Sequence, residues 1–115
     1  MSQYHYFNDE ESLNQDPELM AMLDMARGKA GIPFDITCGF RTPEQNAKLA
    51  NSVSDSAHLT GHAVDMACDD ATERFKMVKA LLDVGFTRIG IYAAHIHADN
   101  DSTKPQGVMW YVEGA

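Results

Sequence analysis

The chain has 115 residues, 44% hydrophobic and 23% charged, with a formal net charge of −8 at pH 7. That length implies one compact domain, residues 1–115, with room for a single core. The acidic balance excludes the basic footprint of a nucleic-acid binder and gives no attraction to anionic lipid, and no apolar run approaches the ~20 residues that span a bilayer.

The opening residues, MSQYHYFNDEE, lack the basic start, apolar centre and small-residue cleavage site of a secretory signal, so synthesis in the cytoplasm is expected. Residues 1–15 read as an extended N-terminal arm whose Tyr4, Tyr6 and Phe7 pack on the domain, with His5 at the surface. Asp16-Pro17-Glu18 is a helix start: an acidic cap, proline at the first position, an acid in the first turn. Leu19, Met22, Leu23 and Ala26 follow at helical spacing, Met20 and Met25 broaden that face, and Gly28, Gly31 and Pro33 end it. Residues 34–37 alternate as a half-buried strand does, and Cys38-Gly39-Phe40-Arg41 turns out of it. Thr42-Pro43-Glu44-Gln45 starts a second helix with Ala47, Leu49 and Ala50 as its apolar face. A loop over 51–55 follows, Gly61 breaks the chain, and 62–67 reads as a strand offering Ala63, Val64 and Met66 to the core. Asp69-Asp70-Ala71 caps a third helix, with Phe75, Val78, Leu81 and Leu82 as its apolar stripe and Gly85 as its stop. Residues 88–92 and 95–99 are strands joined by Ala93-Ala94. A polar loop over 100–107 leads to a terminal strand over 108–112. Interspersed helices and strands with short turns predict an α+β fold, a small, mostly antiparallel sheet with helices packed on one side. Cys38 and Cys68 stand thirty positions apart in no CxxC pattern and read as two buried thiols, with a disulfide open only if their strands are adjacent.

Two stretches carry the chemistry. SAHLTGHAVDM (Ser56 to Met66) and HIHAD (His95 to Asp99) hold four of the five histidines. In a strand, side chains at i, i+2 and i+4 share a face. His95, His97 and Asp99 therefore point together, while Ile96 and Ala98 face the core. His58 and Asp65 are seven positions apart and meet only if the loop around Gly61 folds back. Imidazole nitrogens and a carboxylate are ligands for zinc, which in catalytic sites takes three protein ligands and keeps a position open.

The combination resembles a known family. SAHLTGHAVD is similar to the Ser-x-His-x-x-Gly-x-Ala-x-Asp signature of the zinc D-Ala-D-Ala carboxypeptidases and murein endopeptidases. HIHAD resembles their second metal stretch, and CGFRTPEQN resembles their Ser-Gly-Tyr-Arg-Ser-Pro-Glu-x-Asn element. The three occur in the family's order and span roughly residues 34–100. The resemblance is strongest to the short, single-domain versions of bacteriophages and bacteria, which share a fold with lysostaphin-type peptidases and the zinc-binding domain of hedgehog proteins.

Position by position, the resemblance implies Zn2+ held by His58, Asp65 and His97. It makes His95 and Arg41 the catalytic residues, His95 in contact with the metal-bound water or the developing oxyanion and Arg41 as the holder of a substrate carbonyl or carboxylate; a neutral histidine so placed can also accept the water's proton. Ser56 would line the site and Asp99 would support a ligand histidine from behind. The implied substrate is a peptidoglycan stem peptide, cut at D-Ala-D-Ala or at L-Ala-D-Glu, and the implied protein is a monomeric endolysin-type enzyme that reaches the wall after membrane permeabilisation or lysis. The chain also departs from the pattern. Ala94 stands three before the last ligand, where several branches carry a catalytic glutamate, and Cys38-Gly39-Phe40 replaces Ser-Gly-Tyr, removing two hydroxyls. His62 falls where the signature leaves the residue free. Two further readings stay open: a metal-stabilised binding module without catalysis, and a metal-free phage structural domain.

Overall fold

The computed structural model describes residues 3–48 and 55–113. The first helix, α1 (Asp9–Ser12), was not foreseen within the arm; it is closed by a capping box in which Asn8 and Glu11 bond each other's backbone N–H groups. Phe7 is buried beside it, Tyr4 packs partly on the core, and Tyr6 stays exposed under the Arg27 guanidinium. Helix α2 (Pro17–Ala30) starts where its sequence says. The Asp16 carboxylate accepts from the Leu19 N–H at 3.1 Å, and Gly31 takes the left-handed conformation at the far end. It buries Leu19, Met20, Leu23 and Ala26, whereas Met25 points to solvent, against expectation.

Strand β1 is Ile36–Cys38, starting two residues later than the alternation predicts, although the Asp35 carbonyl just before it still accepts from the Ala67 N–H at 2.9 Å. Helix α3 (Pro43–Ala47) opens on a Thr42/Gln45 capping box; Leu49 and Ala50 lie outside the described residues. A 3₁₀ turn (Ala57–Thr60) leads into β2 (Ala63–Ala67), and Asp70 caps α4 (Ala71–Asp83). The expected stripe of α4 requires correction. Its core face is Met77, Ala80 and Leu81, with Val84 and Val78 packed partly against the core, while Phe75 and Leu82 are 69% and 49% exposed. Positions 77, 80, 81 and 84 form the i, i+3, i+4, i+7 set; an alanine among them made that set less conspicuous than its bulky neighbours.

Strands β3 (Arg88–Ile91), β4 (His95–Asp99) and β5 (Val108–Tyr111) complete a five-stranded sheet in the order β1-β2-β4-β3-β5. All pairings are antiparallel except β3 with β5. The result is the predicted α+β fold. Val64, Met66, Ile96, Ala98 and Ile89 pack beneath α2 and α4 in one core. Full burial of each large apolar side chain contributes roughly 1.5–3 kcal/mol. The alternate residues of the same strands face away from the helices, and there the site is built. Cys38 and Cys68 are both free thiols; Cys68 is buried as expected, whereas Cys38 is only half-buried because it faces away from the helices.

Candidate metal centre

Register builds the site. Across β2 and β4, Asp65 lies opposite His97, Ala67 opposite His95 and Ala63 opposite Asp99. Gly90 lies opposite His97 on the other side, and Trp110 opposite Gly90. Directly opposed residues share a face, so Asp65, His97 and Trp110 form one row with a gap at Gly90. That gap is required: a Cβ on Gly90 would sit 2.6 Å from the Trp110 indole. The indole lies across β3 with its ring centre 5.4 Å from that of His97.

His58 enters the row from the 3₁₀ turn. The Ser56 hydroxyl accepts from the His58 N–H at 3.2 Å, and Gly61 reverses the chain with a φ of 74°. A side chain at Gly61 would also collide with the Asn14 carbonyl. The reversal returns the chain to β2 so that His58 Nε2 stands 3.5 Å from Asp65 Oδ1. A spacing of seven therefore becomes a contact, and His58 is almost fully buried.

The outer nitrogen of each of these two histidines is committed. His58 Nδ1 lies 2.7 Å from the Gly39 carbonyl, which can only accept, so Nδ1 carries the proton. His97 Nε2 lies 2.7 Å from Asp99 Oδ2 and donates to it for the same reason. The inner atoms, His58 Nε2 and His97 Nδ1, both face Asp65 Oδ1, the latter at 3.0 Å. Such outer-nitrogen bonds are what fix the ring orientation of metal-ligating histidines. Two oriented imidazoles around one carboxylate suit zinc. Among the described residues, the group whose donor atoms all lie within 4.8 Å of one another is Cys38, His58 and Asp65; it shares two residues with the expected set, and His97 joins it through Asp65 alone.

Electrostatics tie the cluster together. Burial opposes the charged form of His58, but bonds to Asp65 and Cys38 outweigh it and raise the pKa to about 9. Burial likewise opposes ionisation of Asp65, yet His58 and His97 hold its carboxyl far below the usual range. His97 is raised, against its own burial, by Asp65 and Asp99. Without metal, both shifts favour the protonated imidazoles beside the carboxylates. Metal and these protons compete for the same lone pairs.

The remaining predicted residues lie around this centre. His95 reaches to 4.0 Å from Asp65, is partly exposed, and stacks on Tyr92 with ring centres 4.2 Å apart. Arg41 donates to Ser56 Oγ at 2.8 Å, while its Nε is buried without a hydrogen-bond partner. No ion pair joins Arg41 to Glu44 among the described residues. His62 bonds Thr60 and approaches Asp16 at 3.9 Å, away from the cluster.

Sequence reasoning missed three contributors. Arg88 is buried and donates from Nε to Asp99 Oδ1 at 2.8 Å and from Nη1 to the Pro105 carbonyl at 2.7 Å. It thereby holds the carboxylate that holds His97. Folding the hairpin about Ala93-Ala94 would have placed Arg88 against Asp99, so the signal existed. Trp110 and Tyr92 form the aromatic wall, joined by a 3.3 Å bond from the indole N–H to the phenol oxygen. No local pattern announces that wall, because it depends on the parallel pairing of β5.

A protein-family model described as Peptidase M15 matches residues 5–99, a span that contains all three resembling stretches. No curated protein matches the chain.

Proposed function

The chain belongs to the Peptidase M15 family, and on that premise we propose that it is a zinc peptidase acting on peptidoglycan stem peptides, with His58, Asp65 and His97 holding the metal. The observation that carries this reading is the convergence of His58 Nε2 and His97 Nδ1 on Asp65 Oδ1 while each ring's other nitrogen is pinned. When bound there, zinc supplies Lewis acidity toward an amide carbonyl and activation of water near neutral pH.

The chain's own groups supply the rest. His95 sits at the exposed edge of the cluster, its ring fixed by Tyr92. It accepts a proton from the attacking water and returns it to the leaving amine. Arg41 is held by Ser56 through one terminal nitrogen and its Nε is buried, which leaves its terminal N–H groups for a carboxylate or carbonyl oxygen of the peptide. Stem peptides offer free carboxylates beside their D-amino acids, which suits such a fork. Asp99 and Arg88 orient His97 from behind. The unit acts as one domain and as a monomer, of the endolysin type, reaching the wall after permeabilisation or lysis.

Ala94 favours a second reading. With no glutamate at that position, the same centre would serve a metal-stabilised binding module without turnover. Digestion of purified muropeptides, followed by product masses, separates the two. The peptidase reading expects chelator-sensitive cleavage at D-Ala-D-Ala or L-Ala-D-Glu. Intact substrate with a metal-loaded protein would establish the binding module instead.

A further inference from the structure

We propose that Cys38 is a fourth donor to the metal, completing a set with His58, Asp65 and His97. The inference rests on the metallopeptidase reading and goes beyond it, since the family pattern carries a serine at this position. Its first support is register. Ile36 pairs with Met66, so regular alternation would place Cys38 opposite Val64, on the helix face. A bulge between Ile36 and Cys38 instead brings Cys38 opposite Asp65. Bulges re-aim side chains in this way beside functional sites. Cys38 thereby joins the row of Asp65 and His97 on the polar face.

The second support is the donor geometry. Cys38 Sγ, one nitrogen of His58 and one oxygen of Asp65 lie within 4.8 Å of one another. The thiol has only long polar contacts, 3.9 Å to His58 Nδ1 and 3.9 Å to the Gly39 carbonyl, so no strong bond holds it back. It is half-buried, and a soft thiolate is a preferred zinc ligand. On coordination the thiol proton passes to solvent. Four protein donors are the number of a closed zinc site. The thiolate must then leave the metal before water or a substrate carbonyl can take its place, and retention of the metal becomes sensitive to reagents that modify the thiol.

Cobalt(II) loaded into the chelator-stripped full chain tests this without reference to activity. The wild type should show an intense near-ultraviolet thiolate-to-cobalt charge-transfer band beside the weaker visible bands of the bound ion. Cys38→Ser should keep the visible bands and lose the ultraviolet one, while Cys68→Ser keeps both. A wild-type protein that binds cobalt without the ultraviolet band overturns the role of Cys38 and leaves the histidine–aspartate centre standing. Failure to bind cobalt at all overturns that centre and the fourth donor with it. Should Cys38→Ser fold poorly, alkylation of Cys38 in the wild type serves in its place. Zinc should slow it strongly, and an unchanged rate overturns the proposal.

Discussion

The two faces of the sheet are built from alternate residues of the same strands and held by different physics. Toward α2 and α4, Val64, Met66, Ile96 and Ala98 are wholly buried in apolar contact. Their stabilisation is non-directional and grows with area. Toward the other side, Asp65, His97, Asp99 and Arg88 are joined by directed bonds of 2.7–3.0 Å. A one-residue slip of β4 would exchange the two sets. The register that makes the core therefore also makes the site, and the core stabilises the register that the polar face needs. Substitutions on one face should cost stability and on the other chemistry.

Neighbouring residues of β4 give the sharpest separation. His97→Ala should abolish stoichiometric zinc and reduce hydrolysis to background. Ile96→Ala, one position away, should cost ~2–5 kcal/mol in urea unfolding while the folded fraction keeps its zinc. Equal loss of zinc in both would mean that the faces are not independent. Within the polar face, His95→Ala should keep zinc and lower turnover ~10²–10⁴-fold. Near-normal turnover there, with loss in Asp99→Asn, would move the proton acceptor to Asp99. Arg41→Lys should lower kcat/KM by ~10²-fold with unchanged zinc content, because a point charge cannot replace the planar fork.

Arg88→Lys keeps the charge but loses the two-point hold on Asp99 and Pro105. Zinc affinity should fall ~10–100-fold as His97 loses its anchor, read by competition with a chromogenic chelator. An unchanged affinity would make Arg88 a purely structural ion pair. The smallest effect lies outside the centre. Burial of Asp101 opposes its ionisation, but bonds from Lys104 and Thr103 lower its pKa to about 2 from 3.8. A depressed carboxyl stabilises the fold above its unfolded value and loses that contribution as pH falls from 3.8 toward 2. Asp101→Asn should therefore destabilise by about 1 kcal/mol at pH 6 and by almost nothing at pH 2. A pH-independent difference would exclude that linkage.

How far each face could be read from sequence follows from how local its determinants are. His95, His97 and Asp99 were legible because a strand's period of two is a local property. Ile96 and Ala98 were legible as core for the same reason. The meeting of His58 with Asp65 depends on a left-handed Gly61 and on Asn14 closing over it, so spacing left it open and family resemblance supplied it. Cys38 read as a buried thiol, but it is half-buried, because its direction depends on a bulge that no pattern in Phe34–Cys38 announces. The face of α4 misled because Phe75 and Leu82 outweigh Ala80 in apolarity, although packing against α2 selects the set containing Ala80.

Calorimetric titration of zinc(II) into the chelator-stripped wild type, paired with His97→Ala, tests the central claim that the polar face is a metal site. The account predicts one equivalent bound by the wild type, a melting temperature that rises with zinc concentration, and neither effect in His97→Ala. A wild type that takes up no zinc, or a His97→Ala protein that binds it as tightly, would contradict it.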